Sequence, residues 1–252
     1  GHNNINRICQ DQKYDKLKEK GVYSDKYLVK KYIEEKHPHI NFAKTLYSTT
    51  DPNDIKKFKL PADYVMKYSS GSRAFQVIRN NKCNLSGMIS TAKEYMKIDY
   101  GNQNYRKIPF LGLQEPQYNY NEKRIIFEEF LGENIYEFRI IMVKGKILYY
   151  EMIRPDDYGC QVFDPEGNKM YVEIDEDFKI DKSKKMLNIT KLNEINKFCE
   201  DFYEESKIDF VRVDFYIDDN LDDYYFGELT FTPDNCRKSY NKGFNDRYHY
   251  KT

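Results

Sequence analysis

The segment Asp209-Phe-Val-Arg212-Val-Asp214-Phe-Tyr-Ile217 and the run Tyr224-Tyr-Phe-Gly-Glu228-Leu-Thr230-Phe231 constrain the fold more than any other part of the chain. Each plants ionisable residues inside an apolar strand. A period of two puts Val211, Val213, Phe215 and Ile217 on one face and Phe210, Arg212, Asp214 and Tyr216 on the other. In the second strand Glu228 and Thr230 share a face. The polar run 218–223 predicts a hairpin connection, and a register that sets Asp214 opposite Glu228 also sets Arg212 opposite Thr230. Directly opposed carboxylates repel unless a cation lies between them. Two arrangements meet that condition. One is a metal site, since magnesium is typically held by one or two carboxylates plus substrate phosphates and an arginine fork suits a phosphoryl group in transit. The other is a buried Arg-Asp pair beside a surface glutamate.

With 252 residues and 40% hydrophobic content, the chain supports a real core in one large domain or two lobes. Its 41 basic and 41 acidic residues cancel, so no overall field favours nucleic acid or an anionic membrane. The five cysteines, Cys9, Cys83, Cys160, Cys199 and Cys236, are odd in number, spread out and without a C-x-x-C pair, which argues against a disulfide framework and a zinc site. His37 and His39 flank Pro38 and read as loop residues. No apolar run reaches the length of a membrane span, and the first residues lack the build of a signal peptide. These features predict a cytoplasmic chain with no transmembrane segment and leave a homo-oligomer open.

Ser24 is placed to cap a helix with the stripe Leu28, Val29, Tyr32 and Ile33, ended by Pro38 and carrying Asp25-Lys26 in its first turn. Asp63-Tyr-Val-Met-Lys67 and Ala74-Phe-Gln-Val-Ile78 read as strands joined by a Ser/Gly loop. Leu85, Met88, Ile89, Ala92, Tyr95 and Met96 give a helical stripe, and 100–121 reads as a long loop or a linker. Strands follow at 124–132, 137–143 and 146–153, the last two joined at Lys144-Gly145. The charged stretch 173–185 reads as solvated surface, and Leu192, Ile195, Cys199 and Phe202 mark a last helix. Helices and strands in two groups indicate an α+β protein of two lobes.

Lys67 ends a strand and leads into Ser69-Ser70-Gly71-Ser72, whose small residues suit either a phosphate cradle of free backbone amides or an ordinary hairpin turn. It is not a P-loop, because the lysine precedes the glycine and no helix opens there. Glu128 and Glu129 stand where a strand emerges from a core, and Arg139 lies within a strand facing solvent or a cleft.

Asp25-Lys26, Val65-Met-Lys67 before the loop, Phe127-Glu-Glu-Phe-Leu131, Glu137-Phe-Arg139, Arg212-Val-Asp214 and Gly227-Glu-Leu-Thr-Phe-Thr-Pro233 occur in an order that resembles the ATP-grasp superfamily, most closely its TupA-like branch. The similarity runs from about Asp25 to Pro233, and its last two motifs are the most specific. That branch is associated with bacterial cell-surface polymers such as teichuronopeptide. The resemblance implies a two-lobed α+β fold with a nucleotide between the lobes, divided as an extension at 1–23, an N-terminal lobe at 24–127 and a C-terminal lobe at 128–252. It also implies ATP and Mg2+ as cofactors, and a carboxylate activated to an acyl phosphate that an amine attacks.

By position, Lys26 and Lys67 resemble the two lysines that touch the ATP phosphates, and Ser69, Ser70, Gly71, Ser72 and Arg73 the loop that closes over them. Glu128, Glu129, Phe130 and Leu131 are similar to the hinge that reads adenine, largely through backbone groups, and Glu137 to the ribose contact. Asp214 and Glu228 resemble the magnesium ligands, with Arg212 beside the transferring phosphoryl. Thr230 stands where the superfamily generally has asparagine as a third metal contact, and Asp234-Asn235-Cys236-Arg237 replaces the usual glycine-containing acceptor loop. The 24 residues before Asp25 are too few for the extra N-terminal domain of many such ligases. The expected function is an ATP- and magnesium-dependent carboxylate-amine ligase acting on a surface-glycan or peptide-like precursor. Its partners are a small-molecule or glycan carboxylate and an amine, with Arg73, Arg139 and Arg154 as acceptor contacts. A kinase on the same ATP site and a non-catalytic nucleotide-binding module are the alternatives.

Overall fold

The computed structural model describes residues 4–71, 75–100, 115–154, 159–170 and 179–236. Its helices are α1 (Asn4–Asp11), α2 (Leu17–Ser24), α3 (Leu28–Lys36), α4 (Leu85–Met96) and α5 (Ile189–Ser206). The chain divides into two compact units: a first of residues 17–38 and 42–132, and a second drawn from 1–16, 39–41 and 133–252.

The first unit holds an antiparallel sheet of β1 (Thr45–Thr49), β2 (Tyr64–Tyr68), β3 (Phe75–Ile78) and β4 (Ile125–Glu129) in the order β1-β4-β2-β3. Alternation along β2 and β4 sends Tyr64, Met66, Tyr68, Ile125 and Phe127 to one face, where they pack with Met88, Ala92 and Tyr95 of α4. The apolar stripe predicted for α4 is the reason that helix docks there, and the Asn84 side chain caps it by accepting from Gly87 N at 3.0 Å. The same alternation leaves Lys67 on the opposite face, shared with Val65 and their β4 neighbours Ile126 and Glu128.

Helix α3 begins later than the sequence predicts. Ser24 ends α2, with its hydroxyl 3.4 Å from Gly21 O, and the cap is the Asp25 carboxylate, whose Oδ1 accepts from Tyr27 N and Leu28 N at 2.9 Å each. Asp25 and Lys26 therefore precede the helix instead of filling its first turn. Of the stretch 100–121, residues 101–114 lie outside the described residues. Pro116–Tyr120 forms a 3-10 turn with Gln117 and Tyr118 buried in the first unit.

The second unit is built on β5 (Ile135–Val143), β6 (Lys146–Arg154), β7 (Gly159–Phe163), β8 (Lys169–Met170), β9 (Lys179–Ile180), β10 (Phe210–Asp218) and β11 (Tyr224–Thr230). The sheet order is β11-β10-β5-β6-β7-β8, with β9 beside β7. At the β5–β6 turn Lys144 and Gly145 have φ of 49° and 74°, the left-handed pair that a two-residue hairpin requires. A Cβ on Gly145 would also run into the Tyr203 ring of α5.

The predicted apolar face of β10, Val211, Val213, Phe215 and Ile217, is fully buried. The α5 stripe Leu192, Ile195, Phe198, Cys199 and Phe202 is buried with it, Phe198 meeting Phe215 and Phe226 edge-on at 6.0 and 5.8 Å. On the other face Ile141, Tyr149, Ile153, Val162 and Phe210 pack with Ile5 and Cys9 of α1. Gln12, just past that helix, accepts from Phe210 N at 3.2 Å and donates to Phe210 O at 2.9 Å.

Two expectations are corrected here. Cys9 and Cys236 form a disulfide across a sequence separation of 227, with Cα atoms 5.4 Å apart. Their spacing in the sequence carries no sign of it, because the pair is created by α1 docking beside the 3-10 turn Pro233–Cys236, where Gln10 Nε2 also donates to Cys236 O at 3.1 Å. Within the stretch read as solvated surface, Lys184 is buried, its ammonium 2.5 Å from Asp181 and 5.7 Å from the Tyr136 ring.

Thiol titration of the denatured, unreduced protein should find three groups, Cys83, Cys160 and Cys199. Five would show that Cys9 and Cys236 are not joined.

Candidate active site

The register of the β10–β11 hairpin pairs Asp214 with Glu228 and Arg212 with Thr230, the register assumed from the sequence. The ladder carries a bulge just past Asp214, with Gly227 unmatched between Glu228 and Phe226. A Cβ on Gly227 would lie 3.0 Å from Asp214 O, so glycine lets the strands stay close where the bulge bends them.

The cation between the two carboxylates is the Arg212 guanidinium. Its Nε lies 2.8 and 3.1 Å from the Asp214 oxygens, and its Nη2 lies 2.6 Å from Asp214 Oδ2, 3.3 Å from Glu228 Oε1 and 3.3 Å from Thr230 Oγ1. The Thr230 hydroxyl in turn donates to Glu228 Oε1 at 3.0 Å. Burial pushes the Asp214 carboxyl up to about 6, with the nearby Glu228 adding to the rise and Arg212 opposing it. Arg212, for which burial alone would favour the neutral form, is held charged by Asp214.

The polar strip continues across the sheet. Arg139 of β5 stands opposite Asp214 and donates to Glu137 Oε2 through Nε at 3.1 Å and Nη2 at 2.5 Å. Beyond it on β6, buried Glu151 has Oε2 4.0 Å from Arg139 Nη1. The donor set Asp214, Glu228 and Thr230 fits magnesium by chemistry: all are hard oxygens, two are carboxylates, and Glu228 is 26% exposed and so within reach of solvent. Among the described residues no group of three or more His, Cys, Asp or Glu forms a cage.

In the first unit a second buried charge cluster is built on the polar face of β2 and β4. Glu128 Oε1 accepts from Lys30 Nζ of α3 at 2.6 Å, and Glu128 Oε2 lies 2.8 Å from Lys67 Nζ. Lys30 also donates to Ala43 O at 2.6 Å. The side chains of Lys30, Glu128 and Lys67 are 8%, 2% and 15% exposed, so only Lys67 faces outward to any degree. Burial would raise the Glu128 carboxyl, but the two lysines outweigh it and hold it below its ordinary value of 4.5.

The loop after β2 departs from the cradle of free amides. Ser69 N donates to Arg124 O at 2.8 Å and Ser70 N to Tyr95 Oη at 3.0 Å, so these two amides are spent inside the unit. Gly71 has φ of 90°, and a Cβ there would lie 2.7 Å from Tyr100 Oη. Lys26 Nζ donates to Gly71 O at 2.8 Å, and Lys26 N to Ser69 O at 2.8 Å. Lys26 thus grips the loop through both its backbone and its side chain. Ser72 and Arg73 lie outside the described residues.

The remaining candidates divide. Glu129 Oε1 accepts from Lys44 N at 2.8 Å, the Phe130 ring lies under the Arg79 guanidinium at 4.4 Å, and Leu131 leads to Gly132 with φ of 113°. The Glu128 side chain points into its ion cluster, which leaves a hinge role at 128–131 to backbone groups. Arg154 is not brought to Arg139. It pairs in register with Gly159 on β7, and its guanidinium sits 4.9 Å over the ring of Tyr136, whose neighbour on β10 is Ile217 of the apolar face. Lys30 and Glu151 are additions that the sequence reading passed over. Glu151 carried the same signal as Asp214, a carboxylate inside the apolar run Ile147-Leu-Tyr-Tyr-Glu151-Met-Ile153, whereas Lys30 shows only as a lysine at the edge of the apolar stripe of α3.

Because the folded Glu128 carboxyl is depressed, the stability it contributes is present above about pH 4.5 and is lost as pH falls through the folded value. Glu128→Gln should destabilise the protein near pH 7 and flatten the acid side of its stability profile in urea melts. An unchanged acid branch would contradict the assignment.

The family model of the TupA-like ATP-grasp proteins matches residues 6–249. Among solved structures, D-alanine–D-alanine ligase from Helicobacter pylori aligns at 15% identity and a TM-score of 0.51, covering 89% of this chain and 59% of that one. Phosphoribosylamine–glycine ligase from Thermotoga maritima aligns at 14% identity and a TM-score of 0.47, covering 83% and 48%. The chain thus spans less than two thirds of the length of the solved ligases it matches. No functionally curated protein matches it. The antiparallel sheets, the two α+β units and a family match over nearly the whole chain lead to one assignment: this chain belongs to the TupA-like ATP-grasp family.

Proposed function

We propose that the chain is an ATP- and magnesium-dependent carboxylate-amine ligase acting on a surface-glycan or peptide-like precursor. The observation that carries this reading is the polar strip on β10 and β11, where Arg212, Asp214, Glu228 and Thr230 meet at matched register in an otherwise apolar sheet. Family membership supplies the reaction class and the strip supplies groups suited to it.

In the proposed reaction a substrate carboxylate oxygen attacks the γ-phosphorus of ATP, and the bond to the β,γ-bridging oxygen breaks to release ADP. The amine then attacks the acyl carbon, inorganic phosphate leaves, and the amine gives up a proton. Such phosphoryl transfer needs positioning and charge neutralisation more than covalent help from the protein. Arg212 is placed to take charge developing on the transferring phosphoryl once it exchanges an Asp214 contact for a phosphate oxygen. Asp214 and Glu228 would hold magnesium, with Thr230 as a third oxygen, and the ion when bound neutralises phosphate charge.

Lys67 and Lys26 are the proposed phosphate contacts. Lysine supplies a point charge without demanding a fixed fork, which suits a contact that forms as a loop closes. The backbone at 129–131 is the proposed adenine hinge and Glu137 the ribose contact. Arg139, already beside Asp214 on the strip, is the better placed acceptor contact. Arg154 faces Tyr136, and in this reading it meets the acceptor only by leaving that ring. A cytoplasmic location follows from the need for ATP, although the Cys9–Cys236 disulfide is uncommon in that compartment.

Incubation with ATP, magnesium, pooled uronic or amino acids and amines should yield ADP, free phosphate and an amide. A stable phosphorylated product without free phosphate would instead identify a kinase. Asp214→Asn should lower kcat on the order of 100-fold while leaving nucleotide affinity within a few-fold, and chelation of magnesium should abolish turnover until the ion is restored. Full activity of Asp214→Asn would overturn the metal assignment.

A further inference from the structure

Two adjacent glutamates close β4, and their side chains part. Glu128 turns into the lysine cluster, whereas Glu129, the last residue of the strand, turns to Lys44, which stands just before β1. Glu129 N donates to Lys44 O at 3.0 Å, and Lys44 N donates to Glu129 Oε1 at 2.8 Å. The second bond departs from the ladder pattern. Residues facing each other in a hydrogen-bonded antiparallel pair exchange both backbone bonds, so the regular partner of Lys44 N is the Glu129 carbonyl. Here the carboxylate takes that donor in its place.

The exchange matters because of where the carbonyl points. In a strand the N–H and C=O of one residue face the same neighbour, and the Glu129 amide faces Lys44 rather than Tyr64 of β2. With the Lys44 amide drawn off to the side chain, the Glu129 carbonyl at the end of the ladder keeps its lone pairs for a donor from outside. The next residue is held as well. The Arg79 guanidinium lies 4.4 Å over the Phe130 ring, and its Nε is 3.2 Å from Asp63 Oδ1.

We propose that Glu129 is a positioning residue for base recognition. Its carboxylate diverts Lys44 N and so keeps the Glu129 carbonyl open to the exocyclic amino group of adenine, which sets a preference for a 6-aminopurine. A guanine base presents a carbonyl oxygen at that edge, and two acceptors facing each other repel. The inference rests on the reading of 129–131 as the adenine hinge and adds to it the side chain that keeps the hinge carbonyl available.

Calorimetric titration of the full chain with magnesium-ATP and with the magnesium complex of purine riboside triphosphate, which lacks only the 6-amino group, isolates this contact. The wild-type protein should bind ATP about tenfold more tightly than the analogue, the scale of one hydrogen bond gained. In Glu129→Ala the Lys44 amide falls back on the carbonyl, and the two affinities should come within about twofold of each other. Glu129→Gln keeps a side-chain acceptor and should keep the wild-type ratio. It also removes the charge through which Glu129 acts on the Lys30 ammonium, and so separates the hydrogen bond from that electrostatic effect. A merely structural Glu129 would weaken both nucleotides in parallel in Glu129→Ala. An unchanged ratio in that variant, or a lost ratio in Glu129→Gln, overturns the inference. If Glu129→Ala does not fold, Glu129→Met, which keeps a long side chain without a carboxylate acceptor, is judged by the same ratio. Wild-type protein that binds neither nucleotide overturns the adenine reading of the hinge itself, whereas equal binding of both overturns the role of the carbonyl alone.

Discussion

Removing a carboxylate from water costs several kcal/mol unless a cation stands against it, and both units of this chain are organised around that constraint. In the first unit Glu128 is enclosed by Lys30 and Lys67. In the second, Asp214 and Glu228 share Arg212, while Glu137 and Glu151 flank Arg139. A fold that needed only stability would replace such clusters with apolar side chains at little cost or some gain. Each cluster lies on the sheet face opposite the one that packs on α4 or α5, and it is on these clusters that the proposed function places the incoming phosphate charge.

Strand alternation made the second cluster legible in the sequence. A carboxylate in a run such as Val211-Arg212-Val213-Asp214-Phe215 has only two faces to choose from, and the apolar neighbours decide which. The hairpin register was assumed by matching the polar faces of the two strands, and the structure shows the assumed pairs Asp214–Glu228 and Arg212–Thr230. The bulge at Gly227 was not foreseen; it shifts the register by one, so that Glu228 and Thr230 share the face of Asp214 while Phe226 and Tyr224 pair with Phe215 and Ile217 on the apolar face. The pattern also could not say which cation fills the gap. Of the two arrangements it allowed, the structure shows Arg212 in the gap between Asp214 and Glu228, and the magnesium site belongs to the proposed function.

What escaped the sequence depends on contacts between distant segments. Lys30 meets Glu128 across 98 residues, and Cys9 meets Cys236 across 227; neither pair leaves a local pattern. Arg154 was named with Arg73 and Arg139 as an acceptor contact, yet sheet parity sends Arg154 toward Tyr136 and Arg139 toward Asp214. The Ser/Gly loop was read as either a phosphate cradle or a hairpin turn, and the amides of Ser69 and Ser70 serve the unit's own carbonyl and hydroxyl groups. The disulfide ties the turn Pro233–Cys236, three residues beyond Thr230, to α1.

The central claim is that the Arg212–Asp214–Glu228 cluster is exchanged for a nucleotide-bound metal during the reaction. A crystal structure of the protein with magnesium and a non-hydrolysable ATP analogue tests it most directly. The account predicts an ion at about 2.0–2.1 Å from oxygens of Asp214 and Glu228, with an Arg212 nitrogen moved onto a γ-phosphate oxygen. An analogue bound with its phosphates away from these carboxylates, and Arg212 still bridging Asp214 and Glu228, would contradict it.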